Sequence, residues 1–146
     1  MTAEIDWNLL RSKATEVMHT AYAPYSDYPV GAAALTSDGR FVVGCNVENV
    51  SYGLGICAEC SLAADLHRTG GGRLRAVSVA DGRGQILMPC GRCRQILFEH
   101  GGGELLVDHR AGPRPLAALL PDAFGPDDLS AGRATDPAST DPATDA

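Results

Sequence analysis

The stretch "GICAECSLAADL", residues 55 to 66, sets Cys57 and Cys60 three apart with Glu59 between them, and "PCGRC", Pro89 to Cys93, adds a second pair, Cys90 and Cys93. Two CxxC pairs form a zinc-binding pattern, and two chemistries fit it. If all four sulfurs close around the ion, no position is left for water and the site is a structural zinc ribbon. If three sulfurs bind and water takes the fourth position, the ion can do hydrolytic chemistry, with Glu59 as a nearby proton carrier. Spacing alone favours the ribbon, because residues three apart share one stripe of a helix whereas residues two apart are separated by about 200°. Side chains in the first turn of a helix spread around its open end, however, so Glu59 stays a candidate if Cys57 is the cap residue.

These residues must be carried by elements that converge. Apolar residues Trp7, Leu10, Ala14, Val17, Met18 and Ala21 recur at three- and four-residue steps, which predicts a helix from Trp7 to about Tyr22, broken by the prolines of "APYSDYP". "VGAAALTSDGRFVVGCNVE" reads as a β-hairpin turning at Asp38-Gly39. A helix is expected from near Cys57 to about Thr69 and another over "GRCRQILFEH", each stopped by a "GGG" run, with short buried strands at "RLRAVSVA" and "ELLVDH". A further short helix is expected around Pro115 to Leu120. This order predicts an α/β protein, a three-layer α/β/α sandwich around a mixed five-stranded sheet. Cys57 and Cys90 would open two helices, whose positive ends favour thiolates.

The 146 residues, 45% apolar, suffice for one domain, expected over residues 1–129. The tail from Ser130, "SAGRATDPASTDPATDA", has no large apolar residue and is expected to be disordered and acidic through residues 130–146. A net charge of -6 excludes a phosphate-tracking nucleic-acid binder and leaves a small molecule as the expected ligand. The start, "MTAEIDWNLL", reads as neither a signal peptide nor a membrane span, so the expected location is cytoplasmic. There, an odd count of five cysteines points to metal rather than disulfides. Cys45 reads as a small buried hydrophobe, and His19, His67, His100 and His109 lie outside any ligand spacing.

"CAE" at Cys57 to Glu59 followed by "PCGRCRQ" at Pro89 to Gln95 resembles the signature of the zinc-dependent cytidine deaminase superfamily, in its all-cysteine form. The blocks "AYAPYSDYPVGAAAL", "GCNVENVSYGLGICAE", "MPCGRCRQIL" and "LLPDAFGPDDL", spanning roughly residues 20 to 129, resemble the small homotetrameric free-nucleoside type. The resemblance implies one Zn2+ per subunit on Cys57, Cys90 and Cys93, lowering the pKa of water, with Glu59 as general acid/base and cytidine or 2'-deoxycytidine as substrate. It also implies that Asn46 and Glu48 hold the ribose hydroxyls, that Ala58 contacts the base through its backbone, and that Tyr28 forms an aromatic wall. Phe124 would reach the site of a neighbouring subunit in a homotetramer with shared sites. A carboxylate at the sugar suits a nucleoside better than a phosphorylated nucleotide.

Cys60 departs from the pattern, since most such proteins carry an arginine there that offsets the thiolate charge. Arg92 or Arg94, with the two helix N-termini, is the expected substitute. Two other functions stay open: deamination of a modified cytosine nucleoside such as blasticidin S, and a non-catalytic four-cysteine zinc module that binds a protein partner.

Overall fold

The computed structural model describes residues 4–134. Helix α1, Trp7–Met18, is capped by Asp6, whose Oδ1 accepts from the Leu9 N–H at 3.0 Å. It ends short of the expected Tyr22 because the Tyr22 N–H leaves the helical register and donates to the Asn46 carbonyl at 3.0 Å. Strands β1, Gly31–Thr36, and β2, Phe41–Cys45, form the hairpin. Gly39 supplies its turn at φ 87°, a left-handed conformation that an L side chain rarely adopts. A short 3-10 turn, Tyr52–Leu54, leads to helix α2, Ala58–Arg68, and then β3, Leu74–Ala80, helix α3, Gly91–Gly101, and β4, Leu106–Val107. The chain finishes with β5, Arg114–Pro115, α4, Leu116–Leu119, and α5, Pro126–Ala131.

The sheet order is β2-β1-β3-β4-β5, antiparallel except for the β3–β4 pair, so the sheet is mixed and five-stranded. Every residue of β1 is buried, as a central strand covered on both faces requires. Ala33 and Leu35 pack with Leu10 and Ala14 of α1, and Trp7 lies partly buried against them. Ala32 and Ala34 face Leu62, Leu66 and Leu97 of α2 and α3. Full burial of each of those leucines contributes about 2 kcal/mol. On the α1 face, Asp108 accepts two hydrogen bonds from Arg11, both at 2.8 Å, and one from Ser78 Oγ at 2.8 Å, joining α1 to the sheet.

Gly44 decides how close α2 comes. A Cβ there would stand 2.3 Å from the Ala58 carbonyl oxygen and from the Leu62 nitrogen, so only glycine lets the start of α2 lie on β2. Near the C-terminus, Ser130 and Ala131 belong to α5 rather than to a disordered tail. Pro126 at its first position and Asp128 Oδ2, accepting from the Gly125 N–H at 2.8 Å, open that helix. The expectation for residues 135–146 lies outside the described residues.

Candidate metal centre and substrate cleft

Cys57 and Cys90 are the cap residues of α2 and α3, both with extended backbone (φ -74°, ψ 161° and φ -65°, ψ 169°). Neither side chain caps its own helix, so both sulfurs are free to turn toward a shared point. Cys93, in the first turn of α3, is fully buried there. The three Sγ atoms lie within 4.8 Å of one another. Sulfurs on a tetrahedral zinc, each about 2.3 Å from the ion, are about 3.8 Å apart, so this donor set fits zinc. All five cysteines are free, and Cys60 lies outside the cluster. The cap geometry explains why: Cys57 stands before the helix proper, which breaks the i, i+3 stripe that would have paired it with Cys60.

The thiols differ electrostatically. A hydrogen bond from the Cys93 backbone N–H holds the Cys90 thiol below its ordinary pKa. Burial pushes the Cys57 thiol up and the Cys93 thiol far up, the latter raised further by the Glu59 charge. A divalent cation offsets such burial by its own charge. Glu59, the second residue of α2, is 3% exposed. Burial raises its carboxyl above the ordinary range, against hydrogen bonds from its own backbone N–H and the Cys93 thiol. No ion pair reaches it among the described residues.

Cys57, Ala58, Glu59 and Cys90 form one end of a cleft of about 510 Å³, and Asn46 and Glu48 line it as well. β2 stops at Cys45, but Val47 bridges Tyr22 on one side and Ile56 on the other, which keeps the chain extended. The side chains on either side of Val47 therefore turn together. Asn46 Oδ1 accepts from the Val30 N–H at 2.8 Å, and its Nδ2 donates to the Tyr28 carbonyl at 2.9 Å. Glu48 Oε1 accepts from the Tyr25 and Ser26 N–H groups, each at 3.1 Å. Burial would raise the Glu48 carboxyl, but these donors outweigh it and hold it below the ordinary range.

Tyr28 and Phe124 are not in the cleft of their own chain. Tyr28 contributes its carbonyl, to Asn46, rather than an aromatic wall, and its ring is exposed. Tyr25 and Tyr52, whose rings meet edge to face at 6.1 Å, line the cleft instead, with Leu87 and Met88 opposite the polar residues. No spacing rule singles these four out; Tyr52 lies inside one of the matching sequence blocks, and Leu87 is set by the bond from its N–H to the Val79 carbonyl at 2.8 Å.

The arginines do not take up the expected place beside the thiols. Arg94 donates from Nε to the Pro89 carbonyl and from a terminal nitrogen to the Leu119 carbonyl, both at 2.8 Å. Arg92 is exposed, without an ion pair among the described residues. Helix N–H groups stand nearest the sulfurs, as the Cys93 N–H on Cys90 illustrates.

Three convergent thiols, a buried proton carrier and a polar cleft on an α/β/α sandwich define a hydrolytic zinc centre. The model of the cytidine and deoxycytidylate deaminase zinc-binding region matches residues 6–108, and the chain belongs to that family. Cytidine deaminase of Mycobacterium tuberculosis is 64% identical over 126 residues, covering 86% of this chain and 95% of that protein. Its crystal structure superposes with a TM-score of 0.82 over 84% of this chain and 99% of the other, at 64% identity. The crystal structure of cytidine deaminase from Mycobacterium leprae, 52% identical, gives a TM-score of 0.80 over 81% of this chain and 99% of that one.

Proposed function

We propose that the chain hydrolyses cytidine and 2'-deoxycytidine to uridine and 2'-deoxyuridine, releasing ammonia, in pyrimidine salvage. The observation that carries this reading is the buried, cation-free Glu59 beside the Cys57, Cys90 and Cys93 sulfurs in a cleft that also holds Asn46 and Glu48. Zinc held by the three cysteines supplies the Lewis acidity that brings proton loss from water close to neutral pH. Glu59 accepts that proton and delivers it to ring nitrogen 3 of the cytosine. Oxygen joins carbon 4, the bond to the exocyclic nitrogen breaks, and Glu59 returns a proton to the departing ammonia. Its raised affinity for protons suits a group that must take and give one in each turnover.

Glu48 and Asn46 recognise the sugar. Glu48 has one oxygen engaged by the Tyr25 and Ser26 N–H groups, which leaves the other to accept from a hydroxyl. A carboxylate there disfavours a phosphorylated sugar and favours an ordinary ribose over a bulkier analogue such as blasticidin S. Ala58 meets the base through its backbone. Tyr28 and Phe124, exposed in the single chain, serve where chains meet in a homotetramer with shared sites. Exposed Val50, Tyr52 and Leu54 supply apolar surface for that contact. The cytoplasm, whose reducing poise keeps thiols free, is the proposed location. Charge balance around three thiolates falls to the two helix starts, with Cys60 as an uncharged neighbour.

The test follows the ultraviolet change as cytidine becomes uridine, alongside the sulfur count at the metal by X-ray absorption. Turnover with three sulfurs, unchanged by Cys60→Ser, is expected. An inactive protein holding zinc through four sulfurs would return the site to the non-catalytic ribbon. Arg92→Ala is expected to leave zinc retention intact, and loss of zinc would restore that arginine to the charge balance.

A further inference from the structure

Between α4 and α5, residues 119–125, "LLPDAFG", form no regular element, yet α3 holds them at three points. Arg94 donates to the Leu119 carbonyl and Gln95 Nε2 to the Phe124 carbonyl, both at 2.8 Å. Gly125 lies so near Phe98 that a Cβ on it would stand 3.2 Å from the ring's Cε1. Residues 94, 95 and 98 share one stripe of α3, so the segment runs along that stripe. Asp122, at φ 52°, takes the left-handed conformation that turns the chain between the two hydrogen bonds, and aspartate tolerates it better than most residues.

Two features set this contact apart from ordinary packing. Both acceptors are main-chain carbonyls, so the donors fix the path of the chain and leave its side chains free. The Phe124 ring is accordingly 60% exposed although its own carbonyl is held. The same Arg94 also donates through Nε to Pro89, the residue before the sulfur of Cys90, so a single guanidinium ties the loop before Cys90 to the C-terminal segment.

We propose that Arg94 and Gln95 are positioning residues for nucleoside binding: they latch residues 119–125 to α3, so that each chain presents an already ordered Phe124 ring to a neighbour's cleft. The proposal rests on the shared-site reading of Phe124. Ordering an irregular segment costs about 1 kcal/mol or more per residue of backbone entropy, and a latch that meets this cost in folding removes it from binding. The predicted consequence is a change in KM rather than in the proton transfers.

The experiment compares KM and kcat for cytidine in Phe124→Ala, Gln95→Ala and the double variant of the assembled, zinc-loaded enzyme. Loss of base stacking is expected to raise KM about 10-fold or more in Phe124→Ala. Loss of one neutral hydrogen bond is expected to raise KM about 5-fold in Gln95→Ala, at unchanged kcat and zinc content. Gln95→Lys, which restores a donor, should recover most of the affinity, and the double variant should be no worse than Phe124→Ala. Amide hydrogen exchange over residues 120–125 should speed up in Gln95→Ala. If Phe124→Ala raises KM while Gln95→Ala matches wild type, or if the two effects simply multiply, the latch is overturned and the shared site stands. If Phe124→Ala leaves KM unchanged, the shared-site reading falls and takes the latch with it. Should Gln95→Ala fail to assemble, Gln95→Glu keeps the shape without the donor and carries the same expectations.

Discussion

Two carboxyl groups are buried on opposite faces of the sheet, and their surroundings differ in one respect. Asp108, 1% exposed, receives both donors of the Arg11 fork and the Ser78 hydroxyl. Glu59, 3% exposed, meets a thiol and its own backbone N–H but no cation among the described residues. The paired group is locked as an acceptor and ties three elements together. The unpaired one is left with its proton affinity raised, which a structural carboxylate has no use for and a proton carrier requires. Within one fold, the presence or absence of a guanidinium thus separates a brace from a reagent.

Substitutions can break that contrast in either direction. The largest effect expected is on turnover: Glu59→Gln should lower kcat about 1000-fold while zinc content and melting temperature hold. Residual activity within 10-fold of wild type would remove Glu59 from the proton path. Asp108→Ala should do the reverse, costing about 3 kcal/mol by stranding a charge while turnover per folded molecule stays within about 2-fold. Chemical denaturation beside the cytidine assay reads both quantities.

Gly44→Ala probes the joint between the faces. Its methyl group must push the start of α2 from the sheet, at about 1–3 kcal/mol, and because Cys57 caps that helix, retention of zinc against a chelator should weaken in parallel. Stability loss without zinc loss would mean that the cap is held independently of β2.

The smallest effect concerns an exposed carboxylate. Hydrogen bonds from Thr36 and then Arg40 lower the Asp38 pKa from 3.8 to about 2. A depressed pKa stabilises the fold above 3.8 and loses that contribution as the pH falls toward 2. Asp38→Asn should therefore flatten thermal melts between those limits and leave neutral pH nearly untouched.

Much of this was legible in the sequence because periodicity and glycine stops report local preferences. The hairpin, α2 and α3 lie where their patterns put them, and the Cys57–Glu59 and Pro89–Gln95 motifs led to the metal cluster. Other features depended on partners remote in sequence. The end of α1 was set by Asn46, β5 is only Arg114 and Pro115 borrowed by β4, and Arg94 went to carbonyls rather than thiols. The α5 helix did carry a local signal, Gly125-Pro126 followed by two aspartates, which the loop-like composition around it masked. Tyr28 and Phe124 could not be assigned to a cleft by any local rule, since neither ring lies in the cleft of its own chain.

All four tyrosines of the chain, Tyr22, Tyr25, Tyr28 and Tyr52, are exposed, and Tyr25 and Tyr52 line the cleft, whereas the single tryptophan, Trp7, packs at the start of α1 on the other face. The two kinds of fluorophore therefore report different events. Selective excitation of the indole should follow docking of α1 onto the sheet, and phenol emission and its quenching should follow nucleoside entry and the meeting of chains. Nature has in effect installed two optical channels, and a titration recorded in both would separate folding from occupancy without any added label.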